Sequence, residues 1–236
     1  TNSLTLTNVQ LTNAGNYFVV VSNSVGAVTS RVALLTVLLP ETPGTHYVDV
    51  NGASPASPFT NWTTAARTIQ DAVDVAAPGD EIVVTNGVYA TGGRAVYGTS
   101  LNRVAVNKAV TIRSARGPQF TSIQGNQVTG TTNGDAAVRC AYLANGAGLI
   151  GFTLTNGATR SAGDYLTEQC GGALWCGTTG VVSVAVMVSN CVITGNAAAY
   201  RGGGAYQGTL YNCSLSGNTA SWGGGAVWAT LLDRKS

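Results

Sequence analysis

The strongest constraint on the fold is an internal repeat near the C-terminal end of the 236-residue chain. Residues 190–196 read NCVITGN, residues 212–218 read NCSLSGN, and residues 151–157 read GFTLTNG. Units this short cannot bury a core alone, so each must stack on its neighbours. A second motif, Gly-Gly-Ala, occurs at residues 171–173, 203–205 and 224–226. Its last two copies are one position closer together than the two NCxxxGN segments, which indicates that one residue is deleted between them.

The repeat predicts an all-β right-handed parallel β-helix, in which short strands of successive coils stack at ~4.8 Å. Period-2 alternation then directs one set of side chains into the core: Phe152, Leu154, Cys191, Ile193, Cys213 and Leu215. The residues between them face outward: Thr153, Val192 and Ser214. Asn196 and Asn218 occupy equivalent bends, so we expect their side-chain amides to form a ladder.

Composition excludes several classes of protein. Only 9% of residues are charged and the net charge is +2, which argues against coiled coils, disordered chains and nucleic-acid binders. The longest apolar stretches, residues 32–39 and 181–188, are far shorter than the ~20 residues of a membrane helix. We therefore expect no nucleic-acid partner and no transmembrane segment in this chain.

Residues 1–38 have a different pattern and predict strands at residues 3–7, 16–22 and 27–38. The segment between the first two contains Asn13, Gly15 and Tyr17, followed by Val19. It resembles the Asp-x-Gly-x-Tyr-x-Cys corner of an immunoglobulin-like (I-set) domain, with Asn for the Asp and Val for the Cys. The resemblance implies strands E, F and G of a partial β-sandwich with a tyrosine corner. The alternative is a generic three-stranded meander.

Residues 39–45, with two prolines and a glycine, predict a linker, and residues 46–236 a second domain. The clearest helix is predicted over residues 64–77, capped by Thr63 or Thr64 and ended by Pro78-Gly79. Its apolar face has helical spacing: Ile69, Ala72, Val73 and Ala76. We expect this helix to cover the open end of the solenoid, where unpaired strand edges would be exposed.

Residues 62–73, 78–80 and 86–89 resemble the N-terminal cap and first coil of the pectin-lyase-like right-handed β-helix superfamily. The Gly-Gly-Ala and Gly-Asn repeats resemble those of bacterial polymorphic outer-membrane proteins. Together the resemblances cover residues 46–232 and imply an extracellular location or a bacterial cell surface or outer membrane. The repeat breaks after residue 232, so we expect the chain to be a piece of a longer protein.

Polysaccharide lyases of this superfamily use clustered carboxylates to bind calcium, together with an Arg or Lys base, and its hydrolases use two or three Asp residues. Here the acidic residues are scattered, and residues 169–232 contain none. We therefore predict no catalytic residue, no metal and no cofactor. The alternative is a polysaccharide lyase or glycoside hydrolase whose catalytic coils lie outside this chain; calcium is expected only under that alternative.

The insert at residues 158–169 is the first candidate binding site. It gathers charged and aromatic side chains in a Gly- and Ser-containing loop: Arg160, Asp164, Tyr165 and Glu168. The alternative is a solvated surface loop without a ligand.

Two aromatic residues form the second candidate site. Tyr200 and Trp222 are separated by one full repeat, and stacked on successive coils they would offer a platform for a sugar ring. The alternative is packing at a glycine-rich corner. Trp175 and Trp228 lie at the same distance after their Gly-Gly-Ala motifs and would form a second aromatic row. Gln207 occupies the equivalent position in the copy between them and interrupts this row.

The cysteines are expected to be structural, either as free core thiols or with one disulfide such as Cys170–Cys176. They are five in number: Cys140, Cys170, Cys176, Cys191 and Cys213. The single histidine, His46, cannot complete a Cys/His zinc site.

The sequence therefore predicts a non-enzymatic secreted or cell-surface β-helix protein for adhesion, glycan binding or scaffolding, with a polysaccharide or surface glycan as its partner. A spacer without any ligand is the third possibility. We also expect the isolated chain to aggregate or pair through exposed strand edges.

Overall fold

The computed structural model describes residues 3–37, 42–144, 146–177, 185–225 and 227–232. The chain divides into two compact units, Thr1–Thr42 and Pro43–Ser236. The predicted break in the repeat after residue 232 and part of the predicted linker lie outside the described residues. Each unit is described by itself below.

The first unit is a broken antiparallel hairpin. Its elements are a 3-10 helix at Leu11–Asn13 and the strands β1 (Gly15–Tyr17), β2 (Val20–Asn23), β3 (Gly26–Thr29) and β4 (Ala33–Leu35). Strand β1 pairs with β4, and β2 pairs with β3. Near the chain reversal the side chain of Asn23 accepts hydrogen bonds from the backbone N–H groups of Val25 and Gly26.

The strands predicted for this unit differ from the observed ones. Residues 3–7 form no strand, and the strand predicted at residues 16–22 is interrupted before Val20. The interruption arises because the Ser30 hydroxyl accepts the Val19 N–H at 2.9 Å, in place of a backbone carbonyl. The Tyr17 hydroxyl donates a 2.7 Å hydrogen bond to the carbonyl of Asn13, which is the backbone contact expected of a tyrosine corner.

The second unit is all-β apart from short helical segments. In its described residues it contains a 3-10 helix at Trp62–Thr64, one α-helix, α1 (Ile69–Val75), and eighteen strands. The strands are β5 (Thr45–Val48), β6 (Glu81–Val84), β7 (Gly87–Tyr89), β8 (Arg94–Ala95), β9 (Leu101–Val106), β10 (Thr111–Ser114), β11 (Thr121–Gln124), β12 (Val138–Ala144), β13 (Gly148–Ile150), β14 (Thr153–Thr155), β15 (Leu174–Gly177), β16 (Met187–Ser189), β17 (Val192–Thr194), β18 (Ala197–Ala198), β19 (Ala205–Tyr211), β20 (Ser214–Ser216), β21 (Thr219–Ala220) and β22 (Val227–Leu232).

These strands form three parallel stacks. The first stack runs β5-β6-β10-β13-β16-β19, the second β9-β12-β15-β19, and the third β7-β11-β14-β17-β20. Strand β22 pairs with β19, β18 pairs with β21, and β8 pairs antiparallel with β9. Because β19 belongs to two stacks, they join into one large curled, mostly parallel sheet. This architecture is compatible with a β-helix.

The register places apolar side chains over one another inside the unit. In the third stack Ile123 pairs with Leu154, Leu154 with Ile193, and Ile193 with Leu215. The predicted core residues Phe152, Leu154, Cys191 and Ile193 are buried, while Cys213 and Leu215 are partly buried against them. Thr153 and Val192 are half-buried and Ser214 is exposed. The inward and outward positions predicted from the repeat are thus confirmed.

The helix is shorter than predicted and begins later. Thr68, rather than Thr63 or Thr64, is the N-cap, and its hydroxyl accepts the Asp71 N–H at 3.1 Å. Ala66 cannot be helical because its N–H and carbonyl bond to Tyr47 and Asp49, beside strand β5. The predicted apolar face is buried as expected: Ile69, Ala72, Val73 and Ala76.

The Gly-Gly-Ala copies align differently from the sequence prediction. The register pairs Leu174 with Ala205, and Ala205 with Val227. The residues three positions earlier, Gly171, Gly202 and Gly224, are therefore the equivalent first positions, and all three have φ between +61° and +71°. At the second position a Cβ on Gly172 would clash with the carbonyl oxygen of Ala197, and one on Gly203 with that of Thr219. In this alignment the last two corners, Gly202 and Gly224, are separated by the same interval as Asn196 and Asn218 in the rest of the repeat.

The difference of one residue between the two copies lies instead in strand β19, which has a bulge with one residue more than strand β22. Tyr206 pairs with Trp228 at the full interval of the repeat, whereas Thr209 pairs with Thr230 at an interval one position shorter. Between them, Gln207 has a φ of +60° and Gly208 a φ of +81°. Gln207 consequently does not interrupt the row of Trp175, because Trp175 pairs with Tyr206.

The predicted asparagine ladder is present. The side-chain amide of Asn196 donates to Asn218 Oδ1 at 2.9 Å and to the carbonyl of Leu154 at 3.0 Å. Its Oδ1 accepts the Gly157 N–H at 2.7 Å. The amide is buried and ties together three successive coils at one bend.

Candidate functional site

An aromatic cluster formed by Tyr165, Tyr200 and Trp222 is the best candidate site. The rings of Tyr200 and Trp222 are stacked, with centroids 5.6 Å apart and planes inclined by 22°. Tyr165 contacts Tyr200 edge-on at 5.4 Å. Trp222 is 63% exposed and Tyr165 54% exposed, whereas Tyr200 between them is half-buried. The cluster therefore presents two aromatic side chains to solvent on either side of a fixed third ring.

The backbone of successive coils holds this cluster in place. Tyr200 receives a hydrogen bond on its carbonyl from the Trp222 N–H at 2.8 Å, and its own N–H donates to Gln169 at 2.9 Å. Strands β18 and β21, just before the two aromatic residues, are in register. The repeat thus positions Trp222 directly over Tyr200, as the sequence predicted.

Arg201 completes the cluster, and sequence analysis missed it. Its guanidinium carbon lies 4.7 Å from the centre of the Tyr200 ring and 5.8 Å from that of Trp222. These are cation–π distances. The sequence signal was an arginine directly after the repeated aromatic position. The sequence does not show, however, that its side chain lies over the two rings, because that depends on the fold.

The insert loop holds Tyr165 through a network of charges. Arg160 bonds to Glu168 at 2.6 Å and to Asp135 at 2.7 Å. Glu168 also accepts the N–H of Asp164 at 2.9 Å. This backbone hydrogen bond, and then the one from Arg160, lower the pKa of Glu168.

Asp164 closes a turn within the same loop. Its Oδ1 accepts hydrogen bonds from the N–H groups of Leu166 and Thr167 and from the Thr167 hydroxyl. The hydrogen bonds from Thr167 lower the pKa of Asp164. Of the predicted binding residues in the insert, only Tyr165 therefore joins the aromatic cluster. Arg160, Asp164 and Glu168 bond to the loop that carries it.

A second aromatic row lies beneath the insert. Tyr142, Trp175 and Tyr206 follow one another in register along the second stack, and the Tyr142 and Trp175 rings stack at 5.2 Å. Tyr97 packs against the first two rings, and the Trp175 indole donates to the Leu166 carbonyl at 2.8 Å. All three rings of the row are buried, so they support the insert and leave no face for a ligand.

Arg139 anchors the far end of the insert from inside the fold. Its buried guanidinium donates to the carbonyls of Thr167, Cys170 and Gly171 and to Asn102 Oδ1, at 2.7–3.1 Å. Burial lowers the pKa of Arg139 to about 10. These bonds fix the chain on the C-terminal side of Tyr165, so the cluster rests on a rigid support.

A polar cavity of about 370 Å³ lies elsewhere, between helix α1 and strands β8 and β9. Asp74 and Arg94 form an ion pair across it at 2.6 Å, and Lys108, on its wall, donates to the Ala76 carbonyl at 2.6 Å. Its charged groups therefore bond to protein partners, and the cavity offers a weaker site than the aromatic cluster.

The described residues contain no group of three or more His, Cys, Asp or Glu side chains arranged to bind a metal ion. All five cysteines are free thiols, so Cys170 and Cys176 are not joined. Within the described part of the chain, no helix is long and apolar enough to cross a membrane. Comparisons with protein-family models, curated proteins and solved structures find no match to this chain.

Proposed function

We propose that residues 46–236 form a right-handed parallel β-helix and that residues 1–38 are strands of an immunoglobulin-like domain. Three stacks of parallel strands in a regular register support the first assignment. The hydrogen bond from the Tyr17 hydroxyl to Asn13 supports the second. Both assignments agree with the motifs in the sequence.

On this fold we propose a non-enzymatic glycan-binding protein of the extracellular space or a bacterial cell surface. The observation that carries the proposal is the stacked Tyr200–Trp222 pair, with its tryptophan mostly exposed. Exposed aromatic side chains on a rigid support mark binding sites, because they offer apolar area that loses little conformational freedom on binding. A pyranose ring has an apolar C–H face that fits such a surface.

The neighbouring groups also suit a carbohydrate. Arg201 lies beside both rings and Tyr165 carries a hydroxyl at the edge of the cluster. Trp, Tyr and Arg are the residues that most often dominate binding energy at protein surfaces. A sugar stacked on Trp222 would therefore find hydrogen-bond donors next to its ring oxygens and hydroxyls.

The experiment compares two tryptophans in retention of the full chain on immobilised neutral and acidic polysaccharides. Trp222→Ala is expected to weaken binding at least tenfold, which corresponds to about 1.4 kcal/mol. The control, Trp62→Ala, removes a tryptophan that is 46% exposed and lies against Tyr47 at the other end of the unit. It should bind like the wild type. Equal loss in both variants, or none in Trp222→Ala, would reject the aromatic cluster as the binding site.

A further inference from the structure

Cys191 and Cys213 are neighbours on adjacent coils. Each directly precedes a strand of the third stack, and the next residues, Val192 and Ser214, are register partners. Adjacent strands are ~4.8 Å apart, which lies within the ~4.4–6.8 Å range between the Cα atoms of a disulfide. Each thiol donates to the carbonyl two residues before it, Cys191 to Ser189 at 3.3 Å and Cys213 to Tyr211 at 3.4 Å. The two cysteines therefore lie at equivalent positions of adjacent coils, one coil spacing apart.

The two thiols differ in accessibility. Cys191 is buried, with its sulfur 3.3 Å from the Ser189 carbonyl, whereas Cys213 is partly exposed. Both line a cavity of about 350 Å³ together with Asn190, Asn212 and Pro118. A small reagent can thus reach the Cys213 sulfur, whereas the Cys191 sulfur is shielded from solvent.

We propose that Cys191 and Cys213 are a redox-active dithiol that a low-molecular-weight disulfide, such as glutathione disulfide, converts into a disulfide bridge between two coils. The Cys213 thiolate attacks one sulfur of glutathione disulfide, forms a mixed disulfide and releases one glutathione. Cys191 then attacks the Cys213 sulfur, and its proton passes to the second departing glutathione. Two protein thiols are oxidised and one glutathione disulfide is reduced to two glutathione molecules.

The electrostatics of the pair agree with this order of attack. The neighbouring Cys191 thiol stabilises the Cys213 thiolate and lowers the pKa of Cys213, and the same interaction raises the pKa of Cys191. Burial raises the pKa of Cys140 and of Cys176 to about 12. Because the thiolate is the nucleophile, Cys213 reacts before these two buried thiols.

The bridge would close a loop of the repeat and lock two coils together. A disulfide restricts the unfolded chain, so the oxidised protein should unfold at a higher temperature than the reduced one. This modification is independent of the aromatic cluster and of any glycan. It makes the stiffness of the stack sensitive to the thiol–disulfide balance around the protein.

The test incubates the folded full chain with glutathione disulfide, blocks free thiols with iodoacetamide, and maps peptides by mass spectrometry. The expected result is a Cys191–Cys213 cross-linked peptide, with Cys140 and Cys176 alkylated only after unfolding. Cys213→Ser and Cys191→Ser should each abolish the bridge, whereas the control Cys176→Ser should retain it.

Other results would overturn the proposal. Five free thiols after oxidation, a stable glutathione adduct on Cys213 without a bridge, or cross-links to other cysteines would each do so. The wild-type peptide map gives this answer even if a serine variant fails to fold. The rate of alkylation in the reduced native chain gives a second reading, since Cys213 must react first.

Discussion

Asn196 shows how one residue can hold several coils. Its buried amide bonds to Gly157 and Leu154 on the preceding turn of the solenoid and to Asn218 on the following one, so it joins three successive turns. Inside the fold, a polar group without a partner costs more free energy than a single hydrogen bond contributes. The network therefore stabilises the fold mainly because its loss would leave buried polar groups without hydrogen bonds. The amide therefore makes the spacing of the coils specific at this bend.

Replacing this side chain tests its role. Asn196→Ala should lower the free energy of unfolding by about 2–3 kcal/mol, because the Gly157 N–H and the Leu154 carbonyl lose their partner. Chemical denaturation measures the change. The control, Ser216→Ala, removes an exposed hydroxyl bonded to Thr194 and should change stability by less than about 0.5 kcal/mol. Equal effects of the two substitutions would show that the buried Asn196 amide contributes no more to stability than an exposed hydroxyl.

At the scale of the elements, the sequence predicted the stacks better than their boundaries. The alternation around Leu154, Ile193 and Leu215 was sufficient to assign inward and outward positions, because a period of two is set by the strand itself. The helix start was predicted wrongly because Ala66 is held extended by strand β5, a contact between distant residues. Local capping signals do not contain that information.

The alignment of the glycine corners could not be read from the sequence either. Residues 202–204 and 223–225 are each three glycines in a row, so sliding the motif by one position leaves the pattern almost unchanged. Which glycine takes the positive φ, and which one excludes a Cβ, depends on the coil stacked against it. Similarly, the sequence identified Tyr165, Tyr200 and Trp222 as candidates, but only the position of the insert shows that they meet.

The corner alignment gives a prediction of its own. Gly172→Ala should destabilise the fold by about 3 kcal/mol or more, because its Cβ would overlap the carbonyl oxygens of Ala197 and Gly203. Gly148→Ala is the matched control, since a Cβ there meets Thr111 at ordinary contact distance, 3.4 Å. Its stability should stay within about 1 kcal/mol of the wild type. Similar thermal melting of both variants would contradict the assigned register.

At the scale of the whole molecule, the few acidic residues serve structure. Within the described residues five carboxylates form ion pairs: Asp74, Asp80, Glu81, Asp135 and Glu168. Asp80 and Glu168 are buried. Asp80 bonds to His46 at 2.9 Å and accepts the N–H groups of Gly44 and Ala77. Burial acts to raise the pKa of Asp80, but these hydrogen bonds together hold it below the ordinary value of 3.8.

This carboxylate predicts how stability changes with pH. Since the pKa of Asp80 is lower in the folded than in the unfolded chain, its contribution is complete above about pH 4 and is lost as the pH falls through the folded value. Asp164 and Glu168 act in the same direction. The thermal midpoint of the wild type should fall between pH 5 and pH 2, and that of Asp80→Asn should start lower but fall less. Parallel curves for the two proteins would refute this role of Asp80.

The central claim, that the protein binds glycans without cleaving them, is tested most directly by one combined measurement. The full chain is incubated with neutral and acidic polysaccharides, with and without calcium, and both retained protein and new chain ends are quantified. We predict retention that depends on Trp222 and no new chain ends under either condition. Release of shortened or unsaturated products would contradict the account and identify the protein as a carbohydrate-active enzyme.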